Sequence, residues 1–349
     1  MFEKIYDRIK ITNVPLYIWG AGSMAQVVLA RLTENKITVA GFFVDRKSLF
    51  TEQHELKLPL YTLDEVLAKH SSIAVVVGHG HIELAAKLEK IPQIKEIFII
   101  PSPYPQYYLA ENTVAKALNG GIAAVKKYLA DDISYKNLEI YYRLHTDTDY
   151  KKLYRQIQVM PLFSPDFLML GTDEIFFDVG AFYGDTVDEF IARTEDYKKI
   201  VAFEIDKQAI AGFKQNFGKN PNITLEKVGL GSKKGSFSLE RAGTQSAVIR
   251  ESVDGSIAIT TLDDYVGKNK IMPTLLKIAV PKLALAILRG AAKTLAENKV
   301  KLIIEMGIAI NDDTQLIDTI CYLKKLNKDY KIALRYRLPL PTQLWLYAY

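Results

Sequence analysis

Phe177-Asp178-Val179-Gly180-Ala181-Phe182-Tyr183-Gly184-Asp185-Thr186 leaves an apolar, strand-like segment over 174–179 and enters a helical pattern over 185–193. Val187, Phe190 and Ile191 fall on one face of that helix. Gly180 and Gly184 let the backbone turn tightly and let a ligand approach it closely. Asp178, at the strand's end, is able to pair with a cationic group. Asp185 is placed to cap the helix. The spacing Gly-x-x-x-Gly taken alone describes an ordinary strand-to-helix turn equally well.

A second acid narrows the reading. Val201-Ala202-Phe203-Glu204 ends the next strand-like run, 24 residues after Gly180. A carboxylate there is able to accept both ribose hydroxyls of a nucleoside, as in dinucleotide sites. Dinucleotide sites also rest a pyrophosphate on the helix N-terminus. Here Asp178 and Asp185 put negative charge where that group would sit. The pattern therefore disfavours NAD and favours a nucleoside with a cationic end and no phosphate, which describes S-adenosylmethionine (SAM).

Alternation continues to the C-terminus. Helical patterns over 207–217, 261–266, 282–297 and 314–326 separate strand-like runs over 223–228, 275–280 and 300–306. Short runs over 236–239 and 247–250 read as a β insertion. The last two runs, 330–337 and 343–349, have no helix between them and read as an antiparallel pair. Strands separated by helices predict a parallel sheet with right-handed crossovers.

The first hundred residues carry a similar alternation. Strands are expected over 16–19, 39–44, 73–77 and 96–100, and helices after Gly22, over 62–68 and over 82–88. Gly20-Ala21-Gly22-Ser23 follows the first strand, Asp45 the second and Gly78-His79-Gly80 the third. The prolines of Pro101-Ser102-Pro103-Tyr104-Pro105 close the unit. His79 and His81 lack a third ligand at diagnostic spacing, so no metal site is expected. From 111 to about 159 the pattern is helical, broken at Gly120-Gly121 and Asp131-Asp132. The expected organisation is a Rossmann-like nucleotide-binding-type unit over 1–110, a helical connector over 111–165 and a second α/β unit over 166–349.

Composition sets the remaining bounds. With 349 residues, two domains are expected. The 45 basic residues exceed the 40 acidic ones only slightly and form no run, so no nucleic-acid surface is expected. The most apolar stretches are interrupted by Lys277, Lys282 and Glu305 and fall short of the roughly 20 residues that cross a bilayer. The N-terminus shows no apolar core of a signal peptide. The single cysteine, Cys321, sits in an apolar stripe and reads as a core residue in a reducing compartment. The default location is cytoplasmic. Whether copies of the chain form a homo-oligomer is left open.

From about 129 to 349 the chain resembles the FkbM family of SAM-dependent methyltransferases. The likeness is carried by Asp178-Val179-Gly180-Ala181, Gly184-Asp185-Thr186, Ala202-Phe203-Glu204, Thr261-Leu262-Asp263-Asp264, Leu275-Leu276-Lys277-Ile278, Leu288-Arg289-Gly290-Ala291 and Ile304-Glu305. The approach Leu129-Ala130-Asp131-Asp132, with Ser134 and Tyr142-Arg143-Leu144, also looks like members bearing an extra N-terminal domain. The resemblance implies a class I methyltransferase fold and methyl transfer to a hydroxyl of a sugar, glycan or related small-molecule precursor. It implies that Asp178, Gly180, Ala181, Phe182, Gly184, Asp185, Thr186 and Glu204 bind SAM. Residues 15–101 resemble the Rossmann-like domain of PglD-type sugar acyltransferases. That implies a nucleotide-sugar site at Gly20, Gly22, Ser23, Asp45 and Gly78; a scaffold without ligand is the equal alternative.

One departure bears on activity. The family continues its fourth strand as Lys-Ile-Asp-Val-Glu-Gly-x-Glu, whereas this chain reads Lys277-Ile278-Ala279-Val280-Pro281-Lys282-Leu283-Ala284. An alcohol is a poor nucleophile near neutral pH, and a positioned base contributes roughly 10²–10⁴-fold. Ala279 is not a base. Lys282 stands where a glycine turn with positive φ is expected. The remaining base candidates are Glu305, Asp263 and Asp264, with Lys277 matching the family as a second catalytic candidate. Two readings follow: an active O-methyltransferase, or a degenerate one that binds SAM or a nucleotide-sugar without transfer. A third, NAD(P)-dependent oxidoreduction, lacks a catalytic Tyr-x-x-x-Lys or His–Asp set.

Overall fold

The computed structural model describes residues 3–46, 56–79, 84–100, 111–144, 153–194, 196–241, 247–251, 257–280, 282–306 and 315–349. Gly80, His81, Pro281 and the 101–105 proline segment lie outside these residues.

The N-terminal unit is a five-stranded parallel sheet. Its strands are β1 (Leu16–Trp19), β2 (Gly41–Val44), β3 (Leu60–Thr62), β4 (Ile73–Val77) and β5 (Ile94–Phe98), in the order β3-β2-β1-β4-β5. β1 and β4 are buried throughout, which their continuous apolar runs dictate. The expected four strands become five. β3 has only three residues, all half-buried, and follows a proline, so it carries no apolar run of its own. Its pairing to β2 brings it into the sheet. The helix Leu63–Lys69 begins in a capping box, Thr62 and Glu65 exchanging bonds with each other's backbone N–H groups.

The second sheet has seven strands: β6 (Ile175–Val179), β7 (Lys199–Phe203), β8 (Ile223–Glu226), β13 (Leu275–Ile278), β14 (Lys301–Glu305), β15 (Ile332–Tyr336) and β16 (Leu344–Ala348). Their order is β15-β16-β14-β13-β6-β7-β8. The first five pair in parallel; β16 runs antiparallel to both β14 and β15. The terminal hairpin forms one edge of the sheet, with β16 between β14 and the outermost β15. The expected β insertion is a separate four-stranded sheet of β9 (Gly229–Leu230), β10 (Gly235–Arg241), β11 (Ala247–Glu251) and β12 (Ile257–Thr260).

Two further expectations change. The single helix over 282–297 is two, Ala284–Arg289 and Ala292–Glu297. The break falls at Gly290, where a Cβ would lie 2.0 Å from the Gly231 carbonyl oxygen. Cys321 is exposed rather than in the core. In the helix Gln315–Leu326 the buried face is set by Leu316, Ile320 and Leu323, one helical repeat apart, and Cys321 points off it.

The connector ties the sheets together. Tyr17 and Val75 of the first sheet, Ile122 and Leu138 of the connector, and Phe177 and Leu302 of the second belong to one continuous apolar core. The helix Asp132–Leu144 docks on β15 through a polar lock. Arg335, 5% exposed, donates from Nη2 to Asp131 Oδ2 at 2.6 Å and from Nη1 to the Ser134 hydroxyl at 2.9 Å. Asn137 donates to the Leu334 carbonyl, and the Leu334 N–H donates to Ser134. These bonds satisfy the Leu334 backbone of the edge strand; separately, the Met160 N–H donates to the Tyr336 carbonyl and the Tyr347 hydroxyl to the Leu162 carbonyl, with Leu162 and Phe163 in the second sheet's core.

Candidate functional site

Each sheet reverses its strand order once, between β1 and β4 in the first and between β6 and β13 in the second. Crevices at such switch points, beyond the strands' C-terminal ends, are where open α/β sheets bind ligands. Both glycine-rich turns sit there.

In the second sheet the turn is shaped by close packing. Gly180 has φ +77°, and a Cβ on it would lie 2.5 Å from the Ala279 carbonyl oxygen of the neighbouring strand's exit. Gly184 has φ +92°, and its Cβ would strike the Phe217 ring at 2.2 Å. Gly184, not Asp185, is the residue that caps the helix Asp185–Arg193, because the cap is left-handed there. Asp185 becomes the first helical residue. With Asp188 it makes the first turn acidic, favourable to the helix dipole and adverse to a bound phosphate. Phe182 is left-handed as well, at φ +50°, unusual for a bulky side chain. Its ring is 55% exposed and meets Tyr183 edge-on at 4.2 Å between centroids.

Asp178 is completely buried. The Thr186 hydroxyl donates to its Oδ2. Lys277, its neighbour in register on β13, places Nζ 2.8 Å from Oδ1, an ion pair whose angle leaves Oδ1 without a directed hydrogen bond. Nζ also donates to the Gly180 carbonyl at 3.0 Å. Lys277 is therefore a buried staple across the switch point rather than a surface lysine. It supplies the cation that Asp178, on sequence grounds, was expected to take from a ligand.

Glu204 reaches the crevice from β7. Its Oε1 accepts from the Ile205 and Asp206 N–H groups at 2.7 and 2.8 Å, and its Oε2 accepts from the Phe182 N–H at 2.8 Å. Oε1 is filled; Oε2 keeps one lone pair for a hydroxyl donor. Glu204 thus also fixes the left-handed turn at Phe182. Asp206 caps the helix Lys207–Phe217.

Glu305 ends β14, two residues beyond Ile303, which pairs with Lys277; it therefore lies on the face that carries Asp178 and Lys277. It is half-buried and makes no hydrogen bond or ion pair among the described residues. Burial pushes its carboxyl up to about 7; Lys277 and Arg337 lower it and Asp185 raises it. The other base candidates are committed elsewhere. Asp263 accepts from the Lys293 and Thr294 N–H groups and so caps the helix Ala292–Glu297, and Asp264 bonds Thr261 and Lys234. Arg337, which the sequence did not single out, donates to Glu189 Oε2 at 2.7 Å. The two lie 148 residues apart, and no local pattern signals such a contact.

Lys282 has φ +66°. The turn after β13 does adopt the left-handed geometry that a glycine would favour, with a lysine in it. Of the four described non-glycine residues at positive φ, Lys36 and Lys270 close helices, where such geometry is common. Phe182 and Lys282 lie instead in the two loops flanking the Gly180–Ala279 contact.

In the first sheet Gly20 has φ +107° and packs on the Gly78 carbonyl, while a Cβ on Gly78 would strike Ile18 and Ala25. A Cβ on Gly22 would meet nothing within 4 Å. The helix Ser23–Glu34 starts at Gly22 with no side-chain cap and no acid in its first turn. Asp45 accepts from the Trp19 indole N–H at 3.3 Å, and His79 stands edge-on to Trp19 at 4.4 Å.

Among the described residues no group of three or more His, Cys, Asp or Glu side chains is able to hold a metal ion. No helix among them is long and apolar enough to cross a membrane.

No protein-family model matches the chain, and no curated protein matches it. Among solved structures it is similar to the methyltransferase FkbM from Methylobacillus flagellatus KT, with 18% identity, 99% of this chain and 92% of that chain covered, and a TM-score of 0.67. It is also similar to an rRNA methylase from Streptococcus thermophilus, at 14% identity over 51% of this chain and 87% of that one, with a TM-score of 0.33. A precorrin-6y C5,15-methyltransferase from Geobacter metallireducens GS-15 gives 12% identity over 56% and 94%, with a TM-score of 0.34. The first likeness spans both sheets and establishes the fold, a class I methyltransferase sheet behind a second Rossmann-like unit. The other two are too partial to argue from.

Proposed function

We propose that the chain binds SAM at the mouth of the seven-stranded sheet and transfers its methyl group to a hydroxyl of a sugar, glycan or related small precursor. The observation that carries this reading is the charge of the switch-point crevice. Asp185 and Asp188 begin its helix, and Glu204 offers a free acceptor position. These residues fit a cationic nucleoside and do not fit a pyrophosphate. When bound, SAM supplies an electrophilic methyl group on a sulfonium. Glu204 Oε2 holds a ribose hydroxyl, and Asp185 faces the ligand's positive end. Gly180, Ala181 and Gly184 keep the turn low enough for contact, and the exposed Phe182 ring excludes water from it. Asp178 and Thr186 act from behind, through Lys277 and the Gly180 carbonyl. The likeness to the FkbM structure supports the reaction class; the sugar or glycan acceptor rests on the family resemblance.

Calorimetric titration with SAM, NAD and UDP-sugars tests the reading. SAM binding that Glu204→Ala abolishes is the expected outcome. NAD binding at this crevice in preference to SAM ends it.

A second reading has its own observation. Lys282 occupies a left-handed turn and Ala279 replaces an acid, which favours a chain that binds SAM but transfers poorly. Restoring the family pattern with Ala279→Asp, Pro281→Glu and Lys282→Gly then raises turnover, whereas under the first reading it leaves turnover unchanged or lowers it. For the first sheet, the acid-free helix start at Gly22 and Ser23, with Gly20, Asp45 and Gly78 around it, suits a nucleotide-sugar diphosphate. UDP-sugar binding lost in Asp45→Ala and kept in Glu204→Ala supports that assignment.

A further inference from the structure

Five charged side chains face the carboxyl of Glu305 or its neighbours, and four of them are already paired. Asp178 on β6 holds Lys277 on β13, with 2.8 Å between Oδ1 and Nζ. Glu189, on the helix Asp185–Arg193, holds Arg337 beyond β15, with 2.7 Å between Oε2 and Nη2. The second oxygen of Glu189 accepts from the Leu162 N–H at 2.7 Å, which fixes that carboxylate against the sheet. Asp185, at the start of the same helix, adds negative charge. Glu305 lies among them with neither cation attached to it. A lone carboxylate beside two cations normally collapses onto one of them; here each cation is ion-paired with another acid.

We propose that Glu305 is the group that takes the acceptor's proton, and that Asp178 and Glu189 are positioning residues which keep it free by holding Lys277 and Arg337. The inference rests on the methyltransferase reading and supplies the base that the 279–284 segment lacks. In the step, a lone pair of the acceptor oxygen forms the new O–CH3 bond. The S–CH3 bond breaks with its electron pair left on sulfur, and the hydroxyl proton passes to the Glu305 carboxylate. One sulfonium, one alcohol and one carboxylate become a thioether, an ether and a carboxylic acid, so charge and atoms balance. A base must keep a lone pair available and be basic enough to take the proton near neutral pH. An ion-paired glutamate does neither well, and the burial of Glu305 supports the same conclusion, since it raises the carboxyl to about 7.

The test follows the Glu305 carboxyl directly in the full chain labelled with carbon-13 glutamate, its resonance assigned by its loss in Glu305→Gln. A titration midpoint near 7 is expected, and a midpoint in the ordinary carboxylate range overturns the proposal. Glu189→Gln and, separately, Asp178→Asn are each expected to lower the midpoint, because the released cation turns to Glu305. A midpoint unmoved by either variant overturns the positioning role. If Asp178→Asn fails to fold, Glu189→Gln decides alone. With SAM as donor and a panel of methyl glycosides and simple diols as acceptors, Glu305→Gln is expected to lower kcat roughly 10²–10⁴-fold with SAM affinity kept. Glu189→Gln moves the acidic limb of the kcat profile to lower pH. Full turnover in Glu305→Gln, or SAM binding without transfer to any of these acceptors, overturns the proton-acceptor role. A wild-type chain with no SAM affinity sinks the methyltransferase reading instead and leaves the carboxyl titration standing.

Discussion

The two glycine-rich turns occupy equivalent places in two parallel sheets and differ in what their glycines do. At residues 20–23 only Gly20 is held at positive φ, Gly22 faces open space, and the helix behind begins without acid or cap. At residues 180–186 both glycines are locked against neighbours, and the helix behind begins with Asp185. The first turn opens onto a helix start free of acid, whereas the second spends its glycines on internal packing and presents carboxylates. The difference between these similar strand–turn–helix motifs lies in the side chains at the helix start.

The comparison breaks most visibly at the buried ion pair of the second turn, which has no counterpart among the described residues of the first. Asp178→Asn leaves Lys277 buried without its counter-charge and is expected to cost about 3–5 kcal/mol in denaturant unfolding. Asp45→Asn, at the exposed acid after β2 that bonds the Trp19 indole, is expected to cost less than about 1 kcal/mol. Equal losses would show that the second turn is not specially braced. Gly180→Ala comes next, at about 2–4 kcal/mol, since its Cβ meets backbone and its φ is left-handed. Gly22→Ala sharpens the contrast with a change within about 0.5–1 kcal/mol, read in the same unfolding experiment.

Glu305 gives a smaller, pH-dependent effect. Its folded carboxyl is raised to about 7, so between its unfolded value of 4.5 and that value the folded state binds more protons than the unfolded one. Stability contributed by this group is present at low pH and lost as pH rises through that window. Glu305→Gln removes the slope and is expected to make the chain more stable at pH 8 by about 1–2 kcal/mol, after allowing for solvent screening of a half-buried group. A variant that is less stable than wild type at pH 8 contradicts this. The smallest change is Lys282→Gly, expected to gain up to about 1 kcal/mol in thermal unfolding by relieving a left-handed lysine. A loss there would mean that the lysine's own contacts outweigh the strain.

Much of the second unit is legible in one dimension. β6, β7, β13 and β14 are apolar runs of strand length, and their spacing by helices implies the parallel sheet. The turn at 180–186 and the acid at Glu204 announce themselves locally. β3 was missed because three half-buried residues after a proline carry no period. Cys321 was misplaced because the apolar stripe of its helix is read with an uncertainty of one residue, and one residue is a rotation of about 100°.

The residue order by itself determined the long apolar strands, where the backbone must turn at glycine, and that the second turn is acidic. Only the tertiary structure decided which charges meet. It paired Asp178 with Lys277 and Glu189 with Arg337, placed β16 between β14 and β15, and left Glu305 without an ion pair among the described residues. Backbone conformation and apolar periodicity are properties of neighbours along the chain, and sequence records them. Ion pairing in a buried crevice depends on which strand ends adjoin after folding, and charges 99 or 148 positions apart carry no mark of one another until the sheet has assembled.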